Sequence, residues 1–544
     1  MKRILLCLVF VLFVGGVIWF AFSRRDHSAV RAAHLAPANG IFFVECRDFA
    51  QTRKRFSEAN LARILAEPSV QRFISFSANN LPVPCKTVSQ GLARLAPTSA
   101  FFSSYTLNRD EWICGVRCSG DLRSWESQLG VPLSSLFGSK FKALSESNQN
   151  DFTVTQPSKG MLFGVKTGPW LLFSPKPVYL QDAIRRTTAV NSGLDTSDLF
   201  MRCRTRVPED ADIYAFATGE GLKFMEQGLK PILPRTDISG LIFSAKIEGS
   251  NVHDVVFAYC SHPPESEDLD RKGLFLTTDR TLLYVATSLD LLGLRSAADA
   301  LSTQSGLAET AKQYFEEVNR AGVDFENLSG VVKGIELVLN RVASDDSITG
   351  TFLVETKDGA RANEFLKLIL AAEFPKRFRE QNLDGNSVYV FRNQVGTTLV
   401  LGMVDQDLIA TTGEAAFIEA VKAIRSQKIG LPSLASSSGT DGPPTTAGLR
   451  LYVDTPTLFE RGYSMLRPVL AFGSALVPDL DRYLDPTMLP EASEISRHLS
   501  PIMLTQRELS DGILDESTGS LTAYEVSLLA VAGAIGFTSL DSQY

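Results

Sequence analysis

Two segments with the same pattern are the most informative part of this chain, PANGIFFV at residues 37–44 and TDRTLLYV at residues 278–285. In each segment a turn leads into an apolar run typical of a β-strand, and a stretch with helical periodicity follows. The two apolar runs open at Ile41 and Leu282, which lie 241 positions apart. This spacing predicts that one module of strands and helices occurs twice in the chain.

Three further pairs of landmarks keep nearly the same offset. The pairs are Asp121 and Asp358 at 237 positions, Val165 and Val404 at 239, and Ala215 and Leu451 at 236. Chance alternation of strands and helices would not hold an offset so constant along the chain, so the pattern indicates an internal duplication.

The predicted architecture is α+β, with two tandem homologous lobes at residues 36–272 and 273–544 behind an N-terminal anchor and stem at residues 1–35. A chain of 544 residues is too long for one core, and its 44% hydrophobic and 21% charged residues are typical of globular protein. Residues 433–448 are rich in Ser, Thr, Gly and Pro, which predicts a surface loop inside the second lobe.

The N-terminal sequence ILLCLVFVLFVGGVIWFAF, from Ile4 to Phe22, contains no charged residue in 19 positions. As a helix it would rise about 28 Å, close to the hydrocarbon thickness of a bilayer. A cleaved signal has a shorter apolar core, of about 7 to 15 residues. The sequence therefore favours an uncleaved, single-pass signal-anchor with the bulk of the chain outside the cytoplasm, and secretion after signal cleavage is the alternative.

The charge of the chain bears on its partners. The formal net charge is −7, and a nucleic-acid partner would require a basic face. We therefore expect no nucleic acid among the partners, and we expect the membrane to be contacted through residues 4–22.

Six cysteines follow the apolar segment. They are Cys46, Cys85, Cys114, Cys118, Cys203 and Cys260. In an oxidising compartment an even set can form disulfides, so all six are candidate disulfide cysteines. Burial as small apolar side chains is the alternative, and the sequence does not choose between the two.

No catalytic residue, cofactor site or metal site is predicted. The sequence contains no GxSxG, HExxH, GxxxxGK[ST] or strand-linked GxGxxG motif. Its five histidines are expected to be solvated or hydrogen-bonded rather than catalytic, and they are His27, His34, His253, His262 and His498. The acidic clusters at residues 265–268 and at Asp345-Asp346 lack the spacing of a Ca²⁺ loop and are expected to be exposed turns.

The opening LAPANGIFFVECRDF, followed by NLARILAEPSVQRFI, resembles the start of an uncharacterised bacterial family of exported, membrane-anchored proteins, catalogued as a domain of unknown function. Members have an N-terminal apolar segment, a strand, a helix and a step such as Leu65-Ala66-Glu67-Pro68. The second opening of this chain has Thr278-Asp279-Arg280 in place of the Pro-Ala-Asn step. The resemblance implies a cell-envelope location, on the inner membrane with the bulk of the chain in the periplasm, and it carries no active site.

These observations favour a non-enzymatic binding or interaction protein of the cell envelope, with a protein partner. Tethering, duplication and the missing catalytic motifs all point to that class. Two alternatives stay open at this stage: binding of a small apolar or lipid-like ligand between the lobes, and an enzyme of unrecognised type.

Overall fold

The chain forms a mixed α+β protein, which confirms the predicted fold class at that level. The structure is a computed structural model, and it describes residues 31–79, 83–108, 110–148, 152, 160–188, 192–222, 238–261, 268–288, 329–373, 378–392, 398–431, 447–476 and 486–525. Two compact units are present. Unit 1 comprises Met1–His262, Phe459–Ser500 and Asp511–Tyr544, and unit 2 comprises Pro263–Leu458 and Pro501–Ser510.

The sheet of unit 1 begins with nine strands from the first half of the chain. They are β1 (Phe42–Cys46), β2 (Pro97–Ser104), β3 (Trp112–Cys118), β4 (Lys140–Leu144), β5 (Met161–Thr167), β6 (Trp170–Ser174), β7 (Ile213–Thr218), β8 (Ile238–Glu248) and β9 (Asn251–Cys260). Antiparallel pairing gives the order β5-β6-β3-β2-β1-β7-β8-β9, and β4 lies parallel to β5.

The sheet of unit 2 is built from the next nine strands. They are β10 (Thr281–Ser288), β11 (Val332–Arg341), β12 (Ile348–Thr356), β13 (Phe378–Leu383), β14 (Asn386–Arg392), β15 (Thr398–Val404), β16 (Asp407–Thr411), β17 (Ala447–Val453) and β18 (Ile502–Leu509). Their antiparallel order is β13-β14-β15-β16-β12-β11-β10-β17-β18. The last strand, β19 (Gly512–Gly519), pairs with β9 and so belongs to unit 1.

Helices connect and cover these strands. In chain order they are α1 (Ala32–Leu35), α2 (Phe49–Phe56), α3 (Asn60–Ala66), α4 (Pro68–Asn79), α5 (Val83–Leu95), α6 (Val131–Leu136), α7 (Pro177–Thr188), α8 (Asp198–Arg204), α9 (Gly359–Glu373), α10 (Glu414–Ser426), α11 (Thr455–Leu476) and α12 (Ala492–Ser496). Local sequence accounts for one helix start and one strand connection. The carboxylate of Asp48 caps α2 by accepting from the amide of Gln51 at 2.9 Å, and Gly168 adopts φ +53° in the tight turn between β5 and β6.

The sheet of unit 1 packs on both faces. On one face, α2, α5 and α6 contribute to the core, and we call these helices the front layer. Among the core residues are Phe49, Leu92, Cys114, Leu133 and Phe173. On the other face, Phe200 of α8 lies edge-to-face against Phe43 at 6.0 Å and Phe216 at 5.2 Å. Helix α1 contacts α7 and the 3-10 turn Leu194–Thr196, which contacts α8; α1, α7 and α8 form the back layer.

The main core cluster of unit 2 lies on one face of its sheet. Helix α9 contacts β16 and contributes two further buried residues, Leu366 and Leu370, which are outside that cluster. Helix α10 supplies Phe417, Val421 and Ile424, and the 3-10 turn Lys272–Leu276 supplies Leu274 and Leu276. They pack against strand residues that include Tyr284, Val338, Leu353, Val400 and Ile409. Alternate side chains of the same strands point to the opposite face.

The two units do not divide the chain as the predicted lobes do. The predicted boundary follows residue 272, whereas the compact units separate after His262, and unit 1 also includes residues near the C-terminus. The lobes therefore stay a prediction. The apolar segment at residues 4–22 and residues 433–446 of the predicted loop lie outside the described residues, and Ala447 and Gly448 belong to β17. In the described part of the chain, no helix combines the length and apolar character needed to cross a membrane.

Candidate functional site

The face of the unit 2 sheet away from α10 is almost entirely apolar. Strand register places its side chains together: Val285 lies opposite Leu337 and Leu451, and Leu337 lies opposite Phe352. Phe352 lies opposite Ala410. We call this surface the aliphatic face, and its members are Leu283, Val285, Ile335, Leu337, Leu339, Phe352, Val354, Leu399, Leu401, Met403, Leu408, Leu451 and Val453.

The members of the aliphatic face retain solvent exposure. Phe352 is 38% exposed, and the others are half-buried. Along β11 and β16 buried and half-buried residues alternate strictly over most of the strand. A solvated face of an antiparallel sheet normally carries polar residues, so an apolar one is typical of a surface that meets another apolar surface.

A second feature of unit 2 is a pair of glutamates buried on the opposite face of the sheet. Glu336 and Glu355 are each 1% exposed. Glu336 accepts hydrogen bonds from the amide of Gly273 and the hydroxyl of Tyr284, both at 2.8 Å. Glu355 accepts from the amides of Asp270 at 2.7 Å and Arg271 at 2.5 Å. Both carboxyl groups therefore hold the backbone of residues 270–273 against the sheet.

Burial changes the titration of Glu336. Desolvation, followed by repulsion from the carboxylate of Glu355, raises the pKa of Glu336 to about 8. Desolvation and the nearby Glu336 raise the pKa of the Tyr284 hydroxyl as well. Near neutral pH Glu336 therefore keeps its proton. All four carboxylate oxygens have donors, so the pair anchors the turn Lys272–Leu276, and Lys272 itself forms an ion pair with Asp407.

Five of the six candidate cysteines can be located. Cys46, Cys114, Cys118, Cys203 and Cys260 are all buried, and the first four are free thiols. Burial raises the pKa of Cys114, Cys118 and Cys203 to about 12, which keeps these thiols protonated. Cys85 lies in α5, and its side chain is outside the described part. This arrangement corresponds to the alternative of small apolar core residues.

Three of the five histidines can be located, and each has a polar neighbour. Nε2 of His34 donates to the carbonyl oxygen of Arg186 at 2.7 Å. Nδ1 of His253 is 3.9 Å from a carboxylate oxygen of Glu248, and Nε2 of His498 is 2.6 Å from Oε1 of Glu67. His27 and His262 lie outside the described residues. Sequence reasoning missed the partners, because His34 and His498 meet residues more than 150 positions away.

Of the two acidic clusters considered for cations, Asp345-Asp346 can be located in full. Asp345 and Asp346 are exposed in the turn between β11 and β12, and residues 265–267 lie outside the described part. Within the ranges that the structure describes, no group of three or more His, Cys, Asp or Glu residues is placed to hold a metal ion.

Comparisons with known proteins complete the description. No family model matches the sequence. No curated protein matches it either. Among solved structures, the chain was aligned to one titled "Structure of crystal form I of TP0453", with a TM-score of 0.22 and 9% identity over 50% of this chain and 99% of that chain. A TM-score that low carries no argument about fold or function.

Proposed function

We propose that the chain is a non-enzymatic binding protein of the cell envelope and that a partner protein binds the aliphatic face of unit 2. The proposal is carried by one observation, the half-buried apolar side chains around the exposed Phe352 on that face. Covering them would contribute about 25 cal/mol for each Å² of apolar area removed from water. The proposed location is the inner membrane, with residues 4–22 as the anchor and the bulk of the chain in the periplasm.

The width of the aliphatic face supports a protein partner. The face crosses six adjacent strands, β15, β16, β12, β11, β10 and β17. At about 4.8 Å between neighbouring strands, its width is about 24 Å. A standard protein interface buries about 800 Å² on each partner, which corresponds to a patch of similar width. A small apolar ligand would cover only part of it.

We also propose the finer description of the fold, two tandem homologous lobes. Strand order supports it: β1 lies between β2 and β7, as β10 lies between β11 and β17. Register agrees, because Val44 lies opposite Ala215 and Val285 lies opposite Leu451. The offsets between these residues, 241 and 236 positions, are those of the sequence landmarks.

Site-specific photocrosslinking in native membranes tests the proposed function. The photoreactive residue p-benzoylphenylalanine replaces Phe352 in the full-length chain, and the control carries it at Phe137, which follows α6 in unit 1 and is also 38% exposed. We expect one discrete adduct with another protein from position 352 and none from position 137.

Three results would contradict the proposal. A crosslink from position 352 to residues 289–328 would mean that the chain covers its own aliphatic face. A lipid adduct would favour the apolar-ligand alternative. Identical adduct patterns at positions 352 and 137 would mean that the aliphatic face has no special affinity.

A further inference from the structure

Residues 31–37 fix the point at which the N-terminal sequence enters unit 1. Ala32 is 1% exposed, and Leu35 and Ala36 are fully buried. The amide of Leu194 donates to the carbonyl oxygen of Ala36 at 3.0 Å. These residues are part of the back layer, so the predicted stem is folded at least from residue 32 onward.

Arg186 and His34 hold this entry point in place. Nε of Arg186 donates to the carbonyl oxygen of Leu35 at 3.0 Å, and its Nη2 donates to the hydroxyl of Tyr105 at 3.2 Å. Nε2 of His34 donates to the carbonyl oxygen of Arg186 at 2.7 Å, and its Nδ1 lies 3.3 Å from both carboxylate oxygens of Asp195. Helix α1 is therefore joined to α7 and to the turn that follows it.

The chain between the proposed anchor and this entry point is short. Nine Cα steps lead from Phe22, the last residue of the apolar segment, to Arg31. Fully extended, they reach about 30 Å. A folded domain of about 300 residues, the size of unit 1, is roughly 50 Å across. A tether shorter than the domain keeps the entry side near the bilayer and holds the far side away from it.

The back layer exposes side chains that suit a lipid surface. Val178 at the start of α7 is 46% exposed, and Met201 on α8 is 44% exposed. Arg185 has 67% of its side chain exposed, although it also lies 3.4 Å from Asp182. Arg202 is exposed next to Met201. Apolar side chains flanked by long basic ones bind at the level of anionic headgroups.

We infer that the back layer of unit 1, at α7 and α8, lies against the lipid surface in the anchored protein. This inference rests on the anchor in the proposed function. It goes beyond that proposal because it gives unit 1 an orientation: the back layer contacts lipid headgroups, and the front layer is turned away from them.

Fluorescence quenching in lipid nanodiscs tests the orientation with the full-length protein. An environment-sensitive dye is attached at M201C on the back layer or at K54C on α2 of the front layer, in a background carrying Cys7→Ser and Cys85→Ser. The nanodiscs contain anionic lipid and lipid with a nitroxide at the headgroup. We expect M201C to lose most of its fluorescence and K54C to keep its fluorescence.

The possible failures are distinguishable. Equal quenching at both positions, or quenching at K54C alone, would overturn the orientation and leave the anchor in place. Protein that separates from the nanodiscs would overturn the anchor, and the orientation with it. Neither result bears on the aliphatic face, which photocrosslinking tests separately.

Discussion

Apolar strands are buried to different extents in unit 1 and in unit 2. All five residues of β6 in unit 1 are buried, whereas buried and half-buried residues alternate in β16 of unit 2. Six of the seven residues of β3 are buried, whereas β12 exposes Phe352 beside the buried Leu353. In unit 1 the front and back layers cover both faces. An apolar strand therefore predicts a sheet, but it does not predict how many faces of that sheet are covered.

The largest loss of stability should follow from truncating neighbouring residues of β6, and it tests whether both faces of that strand are tightly packed. Leu172 and Phe173 are both fully buried and point to opposite faces. We expect Leu172→Ala to cost about 2 to 5 kcal/mol and Phe173→Ala about 3 to 5 kcal/mol of unfolding free energy. Tryptophan fluorescence during urea unfolding measures this, because Trp112, Trp125 and Trp170 all lie in unit 1. A small cost at either position would mean that one face of this sheet is not tightly packed.

The next largest effect concerns Asp254, a fully buried carboxyl group in β9. The hydroxyl of Thr522 donates to its Oδ2, and its Oδ1 has no partner among the described residues. Burial, followed by the nearby Glu525, raises the pKa of Asp254 to about 8. Its stabilising contribution is complete below its ordinary pKa near 3.8 and is lost as the pH rises towards about 8.

Asp254→Asn should remove this pH dependence. The variant should be more stable than the natural chain at pH 8 by about 1 to 3 kcal/mol, after allowing for the unpaired amide hydrogens. Urea unfolding at pH 5 and pH 8, followed by tryptophan fluorescence, measures the difference. The same pH dependence in the variant would show that Asp254 does not carry the proton.

The sequence could predict strands and class, but not these contacts. The runs at Ile41 and Leu282 carry a local pattern, and the structure places β1 and β10 there. Glu336 and Glu355 meet through strand register, and register depends on the whole sheet rather than on neighbours in sequence. Exposure of Phe352 likewise depends on what covers the sheet, which no periodicity within β12 encodes.

The substitution Glu336→Gln tests how a buried carboxyl group on the covered face of the unit 2 sheet affects stability. The pKa of Glu336 is raised to about 8, so its stabilising contribution declines as the pH rises from about 4.5 to 8. A glutamine oxygen can still accept from the amide of Gly273, and its amide can donate to the oxygen of Tyr284. We expect the variant to be more stable at pH 8 by about 1 to 2 kcal/mol.

Amide hydrogen exchange in β10 and β11 at pH 6 and pH 8 measures the effect of Glu336→Gln. The measured rates must first be corrected for the pH dependence of intrinsic backbone amide exchange. Glu355→Gln is the matched control, because both oxygens of Glu355 accept from backbone amides and a glutamine nitrogen cannot replace one of them. If that control gained as much stability as Glu336→Gln, the raised pKa of Glu336 would be the wrong explanation.

The smallest loss of stability should come from substituting Phe352, and it tests directly whether one face of the unit 2 sheet is less covered than the other. Phe352 and Leu353 are adjacent, but Phe352 is 38% exposed and Leu353 is 1% exposed. We expect Phe352→Thr, which keeps β propensity, to cost less than about 1 kcal/mol. Leu353→Ala should cost about 2 to 5 kcal/mol. Hydrogen exchange in β12 and β16 of the isolated protein measures both. A partner bound to the aliphatic face would bury Phe352. Adding the partner should therefore bring the stability cost of Phe352→Thr closer to that of Leu353→Ala. If the two costs stayed as different as in the isolated protein, binding at this face would be contradicted.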